Sequence, residues 1–297
     1  MQAWPPATRA AGRAYFLSNG DRTNRSRSAD HHYWLHLPRW LLARAGSRDP
    51  TLLDDILWGQ YCLFLFIRIQ DDVLDRQAPS ARLLFVANEF LLEAERTFAR
   101  TVGHRAFSEY FRGTIADSSR AILAADALQR RRVASVAALT ATYRRVSAVF
   151  KAGSAAVCLA HDDPAALAHV ERFADDLAVA GQLIDDLEDM EADLDDGRLN
   201  AAARLLAPDA SPQERGAREI LRRAVINGQR LPRLFALIKD RLRSARAAIA
   251  PVDLPDAGPY LDRIDGEVDA LQRAVHHARV RAVFQSVPGT GPARPAS

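Results

Sequence analysis

Apolar residues recur along this chain at helical spacing. Leucine, alanine and valine return every three or four positions over long stretches, with arginines and acidic residues between them. Alternating runs of β-branched residues bounded by Asn-Gly or Asp-Gly turns, which are typical of strands, are nearly absent from the sequence. The pattern predicts an all-α protein.

Capping residues and prolines mark the predicted helix starts. Asp49-Pro50-Thr51, Asp163-Pro164 and Ser211-Pro212 each place such a residue at an entry. A break is expected at Leu231-Pro232, because proline cannot continue the hydrogen-bond ladder. The predicted helices cover residues 33–46, 51–76, 81–101, 105–128, 132–161, 164–205, 212–249 and 256–284.

Proline, glycine and serine concentrate at the two ends of the chain, in MQAWPPATRAAG and SVPGTGPARPAS. Such composition buries too little apolar surface to offset the cost of ordering. No linker of this kind divides the middle of the sequence. We therefore predict disordered tails over 1–30 and 286–297 around one helical domain, residues 31–285.

Composition narrows the class of protein. Of the 297 residues 48% are hydrophobic and 26% are charged, which is ordinary for a globular protein with a substantial core. The net charge is only +3, and no run of like charges or aromatic-interleaved basic patch stands out. Binding to nucleic acid is therefore only a weak alternative, and we expect no nucleic-acid partner.

The cysteines and the longest apolar run bear on the cellular compartment. Cys62 and Cys158 lie far apart in apolar surroundings, so we expect buried free thiols in a reducing environment. The longest apolar run, around residues 56–69, is interrupted by Gln60 and is too short for a transmembrane segment. We expect a cytoplasmic protein.

A first acidic segment, IRIQDDVLDRQ at residues 67–77, ends the apolar stretch WGQYCLFLFI. It holds Asp71, Asp72 and Asp75. On a helix Asp71 and Asp75 lie one turn apart on the same face, and like charges in that arrangement cost stability. A positive ligand between them would offset the repulsion.

A second acidic segment, GQLIDDLEDMEADLDDGRLN, occupies residues 181–200. Asp185, Asp189 and Asp193 form a column along one helix face, and Gln182 lies one turn before Asp185. Both segments follow apolar turns, which indicates the mouth of a cavity rather than an exposed face. Hard oxygen ligands without a supporting Cys/His cage suit Mg²⁺, which commonly bridges carboxylates to phosphates.

The two segments together resemble the class I isoprenoid synthases, the superfamily of trans-prenyl diphosphate synthases, squalene-synthase-like enzymes and terpene cyclases. Residues 71–75 match the first D-D-x-x-D motif of that superfamily, and residues 182–189 match its Q-x-x-D-D-x-x-D motif. Asp185, Asp189 and Asp193 also fit the spacing of the cyclase metal-binding triad.

The resemblance implies a single-domain helical bundle around a central active-site cavity. In such a site Asp71, Asp75, Asp185 and Asp189 are the catalytic metal ligands, joined by Asp193, and they hold Mg²⁺, which Mn²⁺ can replace. Asp72 is expected to orient its neighbours rather than to bind metal. The implied partner is a prenyl diphosphate, and by analogy a second copy of the chain in a homodimer.

Other matches imply residues that bind the diphosphate. VFKAGSAAVCLA resembles the K-T-x-x-L-F segment of prenyl synthases, which assigns this role to Lys151. DLDDGRLN resembles D-x-x-x-G-K-x-T, with Arg198 in place of lysine. Arg144 or Arg145 lies where cyclases carry a diphosphate-sensing arginine, and Gln182 leads the second motif.

The helix before Asp71 is expected to form one wall of the cavity. Ile67, Phe64 and Gln60 share the face of Asp71, in order of increasing distance from the diphosphate. Phe64 either faces a carbocation with its π face or packs in the core. Phe66 lies off that face, five residues before the first motif, and in the prenyl synthases that the chain resembles the residues four and five before the motif limit chain length.

Two departures from the family patterns bear on the reaction. The G-G-K-R segment of chain-elongation enzymes is missing, and near the C-terminus Arg279 and Arg281 stand without the tyrosine of many cyclases. We favour a terpene synthase that ionises an allylic prenyl diphosphate and cyclises the cation. The alternative is a prenyltransferase, by chain elongation, head-to-head condensation or transfer to another acceptor; the second alternative is a non-catalytic helical scaffold.

Overall fold

The structure is a computed structural model that describes residues 4–15 except 7, and 32–286 except 48, 75–77 and 104. For residues 282–286 the description covers the backbone only. Within these ranges the regular structure is helical and no residue lies in a strand, which confirms the all-α prediction.

The helices follow one another with short connections. They are α1, residues 8–15, then α2 Tyr33–Arg44, α3 Pro50–Leu74, α4 Leu83–Thr101, α5 Arg105–Gln129, α6 Val136–Val146, α7 Ala152–Ala160, α8 Pro164–Asp195, α9 Ala201–Leu206, α10 Ala217–Asn227, α11 Leu231–Ile249 and α12 Ala257–Ser286. A 3₁₀ turn, Ser147–Lys151, joins α6 to α7.

Two of the three predicted helix starts are confirmed by cap geometry. The Asp49 side chain accepts a hydrogen bond from the Thr51 amide at 2.9 Å, and the Asp163 side chain accepts one from Ala166 at 2.9 Å. Each carboxylate satisfies an amide that has no partner within the helix. The third prediction was wrong: α10 begins at Ala217, after Gly216 in the left-handed region with φ 97°.

The segment 132–161, predicted as one helix, is interrupted by the 3₁₀ turn. The Ser118 hydroxyl contacts the carbonyl oxygens of Arg145 and Val146 at 3.0 and 2.7 Å. The Gln60 amide donates to the Val149 carbonyl at 3.2 Å and accepts from the Gly153 amide at 2.8 Å. Side chains from α5 and α3 thus satisfy backbone groups that a continuous helix would pair internally.

The segment 164–205 was also predicted as one helix, and it divides at the end of the second acidic segment. Gly197 has φ 72°, a left-handed conformation that ends α8 at little steric cost. The Asn200 side chain then accepts from the Ala203 amide at 2.9 Å and starts α9. The chain therefore turns back immediately after the acidic column.

Part of the predicted N-terminal tail is ordered, so that expectation does not hold there. Residues 8–15 are helical, and both Trp4 and Tyr15 are buried. The Trp4 ring meets Phe90 edge to face at a centroid distance of 4.8 Å. Apolar contacts of two aromatic anchors offset the unfavourable composition of this stretch.

Helix α8 is central to the packing. It lies along α11 and also contacts α6, α7 and α9, while α3 packs along α4. The core contains the predicted free thiols, Cys62 and Cys158, both buried. Burial raises the pKa of Cys158 to about 12. In the described part of the chain, no helix has both the length and the apolarity that crossing a membrane requires.

Candidate active site

A cavity of about 520 Å³ opens between α2, α3, α8, α11 and α12. Its walls are aromatic and aliphatic, and polar side chains gather on α3, α8 and α12. The lining residues include His32, Tyr33, Trp34, Phe64, Arg68, Phe150, Leu177, Gln182, Asp185, Glu188, Leu242, Tyr260 and Glu267. Between Asp185 and Leu177 the helix rises about 12 Å, so the cavity reaches well into the bundle.

In the first acidic segment, one of the two described aspartates is exposed to solvent and the other is buried. The side chain of Asp71 is 54% exposed, whereas that of Asp72 is only 2% exposed. Asp72 accepts a hydrogen bond from the Tyr15 hydroxyl at 2.7 Å and pairs with Arg68 at 3.0 Å. Asp72 therefore stabilises the packing of the helices. Asp75 lies outside the described residues.

The second acidic segment shows the same division. Asp185 and Gln182 line the cavity, whereas Asp186 is buried behind the wall. Asp186 accepts hydrogen bonds from the Tyr143 hydroxyl at 2.7 Å and the Ala201 amide at 2.9 Å. Burial raises the pKa of Asp186 to about 7, against the opposing effect of these hydrogen bonds.

The later carboxylates of the acidic column lie beyond the cavity wall. Asp189 is exposed on α8. Asp193 accepts a 2.7 Å hydrogen bond from Asn200 and pairs with Arg198 at 3.1 Å. Arg198 also pairs with Asp196 at 3.1 Å. Asp193 and Asp196 both belong to the second acidic segment, so Arg198 neutralises charge within that segment.

The other basic residues that sequence reasoning assigned to the diphosphate have carboxylate partners away from the described cavity lining. Lys151 is buried and its ammonium lies 2.5 Å from Asp175. Arg144 pairs with Asp176 at 3.4 Å, and Arg145 pairs with Asp117 at 3.3 Å. The structure therefore does not bring these three side chains to the mouth of the cavity.

The face of α3 that lines the cavity differs from the predicted face. Phe64 lines the cavity and stacks on Trp34 at a centroid distance of 5.3 Å. Ile67 and Gln60 are buried and do not appear among the described lining residues, and Phe66 is buried as well. The side chain that follows Phe64 along the wall is Arg68, since four residues complete about one turn.

Sequence reasoning missed several lining residues. Arg68, Glu188 and Glu267 add charge to the mouth, and Trp34 and Tyr260 add aromatic surface. Arg68 had a visible signal, because it stands three and four residues before two aspartates. Glu267 and Tyr260 had none, since they come from α12, far from both motifs in sequence.

The oxygen donors near the mouth are carboxylates, which are suitable ligands for Mg²⁺. Among the described residues, no three His, Cys, Asp or Glu side chains come together as a closed cage. A Mg²⁺ ion that keeps several waters and binds phosphate needs only one or two carboxylates from the protein. Asp185 lines the cavity, and Asp71 lies 3.4 Å from the lining residue Arg68 without being a described lining residue itself. These donors fit a Mg²⁺ ion shared with a diphosphate.

No protein-family model and no curated protein matches the chain. Solved structures with a similar fold were found. Geranylgeranyl pyrophosphate synthetase from Pyrococcus horikoshii Ot3 is similar at a TM-score of 0.65 and 13% identity, over 88% of this chain and 89% of that one. Decaprenyl diphosphate synthase from Rhodobacter capsulatus is similar at a TM-score of 0.61 and 18% identity, over 82% and 86% of the two chains. This chain therefore has the all-α fold of these two prenyl diphosphate synthases.

Proposed function

We propose that this protein ionises an allylic prenyl diphosphate and transfers the prenyl group to a second substrate. The observation that carries the proposal is the cavity, whose apolar and aromatic walls lead to a charged mouth with Arg68, Asp185 and Glu188. A prenyl diphosphate has the same division, with a hydrocarbon chain at one end and a charged group at the other. The likeness to two prenyl diphosphate synthases supports this reading.

Asp71 and Asp185 would hold Mg²⁺ or Mn²⁺, with Asp75, Asp189 and Asp193 as the further ligands that the motifs imply. The metal, when bound, neutralises charge on the diphosphate and makes it a better leaving group. Asp193 already pairs with Arg198 and Asn200, so its contribution requires that this contact open. Asp72 and Asp186 hold the two helices that carry the ligands.

The cavity walls would protect the cation that ionisation produces. Trp34, Phe64 and Phe150 lie side by side, with centroid distances of 5.3 Å from Trp34 to Phe64 and 5.8 Å from Trp34 to Phe150. The π face of an aromatic ring stabilises a nearby cation by about 0.5–2 kcal/mol. The same rings exclude water, which would otherwise quench the cation.

Cyclisation of the cation is the second candidate, because the cavity provides few basic groups for a second diphosphate. Among its described lining residues, Arg68 is the one lysine or arginine. Chain elongation brings two diphosphates into one site and would need further cations. Transfer to an acceptor without a diphosphate, or cyclisation of the first substrate, needs one charged mouth and an apolar cavity.

Product analysis separates these reactions. Purified protein would be incubated with Mg²⁺ and allylic prenyl diphosphates of several chain lengths, each alone and with isopentenyl diphosphate or an aromatic acceptor. A prenylated product formed only with a second substrate supports transfer. A hydrocarbon or alcohol formed from one substrate alone supports cyclisation instead, and no release of diphosphate under any condition contradicts both and leaves a non-catalytic scaffold.

A further inference from the structure

The four basic residues that the sequence motifs assign to the diphosphate are not among the described lining residues of the cavity. Lys151, Arg144 and Arg145 pair with Asp175, Asp176 and Asp117, respectively, and Arg198 pairs with Asp193. A leaving diphosphate gains negative charge as its C–O bond breaks, and fixed positive groups stabilise that charge.

Arg68 places a positive charge in the lining of the cavity. It lines the cavity together with Gln182, Asp185 and Glu188 of α8. Its side chain is 36% exposed, so it is partly accessible from solvent. A guanidinium has five N–H donors in a fixed plane that matches phosphate oxygens.

We propose that Arg68 binds the diphosphate of the substrate directly, and that Asp72 and Tyr15 position its guanidinium. This inference rests on the proposed function, since it names a substrate-binding residue of the same site. Arg68 lies outside every motif match described above, and sequence spacing alone assigns it to an ordinary ion pair on a helix surface.

The two contacts of Arg68 differ in strength. The contact with Asp71 is long, 3.4 Å, and joins two partly exposed groups, so it contributes little to stability. The contact with Asp72 is 3.0 Å, and that carboxylate is 2% exposed. Removing the partner of a buried charge is costly, so the Asp72 pair persists while a diphosphate displaces Asp71.

Tyr15 fixes the other side of Asp72. Its hydroxyl donates to Oδ2 at 2.7 Å, while Arg68 Nη2 lies 3.0 Å from Oδ1. Tyr15 is buried and belongs to α1, so a residue of the N-terminal helix orients a carboxylate that in turn orients the cation. This chain of contacts gives the N-terminal helix a part in substrate binding.

The direct test is the binding of inorganic pyrophosphate in the presence of Mg²⁺, measured by titration calorimetry on the full chain. We expect Arg68→Gln to weaken binding about tenfold or more, because a charged hydrogen bond is lost. Arg68→Lys should fall between the wild type and Arg68→Gln, because it keeps the charge without the planar fork. The control is Arg44→Gln, which breaks an ion pair of similar exposure with Asp163, outside the described cavity lining.

The outcomes separate this inference from the proposed function. Unchanged pyrophosphate affinity in a folded Arg68→Gln or Arg68→Lys variant, with clear binding by the wild type, overturns the role of Arg68 alone. No binding by the wild type overturns the proposed function as well. If Arg68→Gln does not fold, Arg68→Lys decides the question, with an expected loss of about threefold or more.

The role of Tyr15 has its own readout. Tyr15→Phe keeps the ring and removes the hydroxyl bonded to Asp72, so we expect KM for the prenyl diphosphate to rise severalfold and pyrophosphate affinity to fall in parallel. The control is Tyr110→Phe, which loses a 2.9 Å hydrogen bond to Glu171 away from the described cavity lining. An equal change in both variants, or a loss of melting temperature without a change in pyrophosphate affinity, contradicts a positioning role.

Discussion

Tyr143 donates a hydrogen bond of 2.7 Å to Asp186, the second carboxylate of the Asp185-Asp186 pair. Tyr15 makes a bond of the same length to Asp72, the second carboxylate of the Asp71-Asp72 pair. In each pair the second carboxylate is buried, while the first lies at the cavity mouth or in solvent. In both acidic segments the buried second carboxylate therefore stabilises the fold, and the adjacent first carboxylate is the one that we propose binds metal.

Loss of the Tyr143 hydroxyl should destabilise the protein. In Tyr143→Phe the buried Asp186 loses a donor, and we expect the free energy of unfolding to fall by about 1–3 kcal/mol. Urea denaturation measures the change. Ser119→Ala is the control, since it removes an exposed hydroxyl that bonds within its own helix at 2.9 Å. Equal effects of the two substitutions would show that the Asp186 contact contributes nothing specific.

Substitution of Asp71, the first carboxylate of its pair, should affect activity rather than stability. Asp71→Ala should abolish diphosphate release yet change the free energy of unfolding by no more than about 1 kcal/mol, because the ion pair of Asp71 with Arg68 is long and joins two partly exposed groups. Asp117→Ala removes a carboxylate of similar exposure, 50%, and should leave turnover unchanged. Normal turnover by Asp71→Ala would exclude Asp71 from the metal site.

The helical architecture and the location of both acidic segments could be predicted because helical periodicity and local charge repulsion are properties of short stretches. The partner of a basic residue is not such a property. Lys151 was assigned to the diphosphate from its flanking residues, whereas its ammonium pairs with Asp175 on a different helix. The metal roles of the aspartates remain predictions.

The residues of α3 that line the cavity could also be predicted only in part from the sequence. A face drawn on an ideal helix gave Phe64 together with Gln60 and Ile67. Gln60 instead turns to the 3₁₀ turn, where it satisfies backbone groups of Val149 and Gly153. The break in that neighbouring helix decides the orientation of Gln60, and no pattern within α3 indicates it.

Two phenylalanines of α3 should separate substrate choice from stability. Phe64 is half-buried in the cavity wall, whereas Phe66 is 4% exposed in the core. Phe64→Ala should enlarge the cavity and shift activity toward longer prenyl diphosphates. Phe66→Ala should cost about 3–5 kcal/mol of stability and leave the product spectrum unchanged in the folded fraction.

The measurements for this pair are the product profile across chain lengths and the melting temperature. Ile67→Ala serves as a further control, because Ile67 is buried next to Arg68 yet is not a described lining residue. A shift in chain length with Phe66→Ala or Ile67→Ala and none with Phe64→Ala would place the cavity on the other side of α3.

Release of diphosphate from an allylic prenyl diphosphate tests the central claim most directly. The wild type and Asp185→Asn would be compared by a pyrophosphate assay with Mg²⁺ and with excess EDTA. We expect release by the wild type that depends on the metal and stops in the chelator, and a loss of about a hundredfold or more in Asp185→Asn at unchanged melting temperature. Full release by the wild type in excess EDTA, or by Asp185→Asn with Mg²⁺, would contradict a metal-dependent ionisation at this mouth.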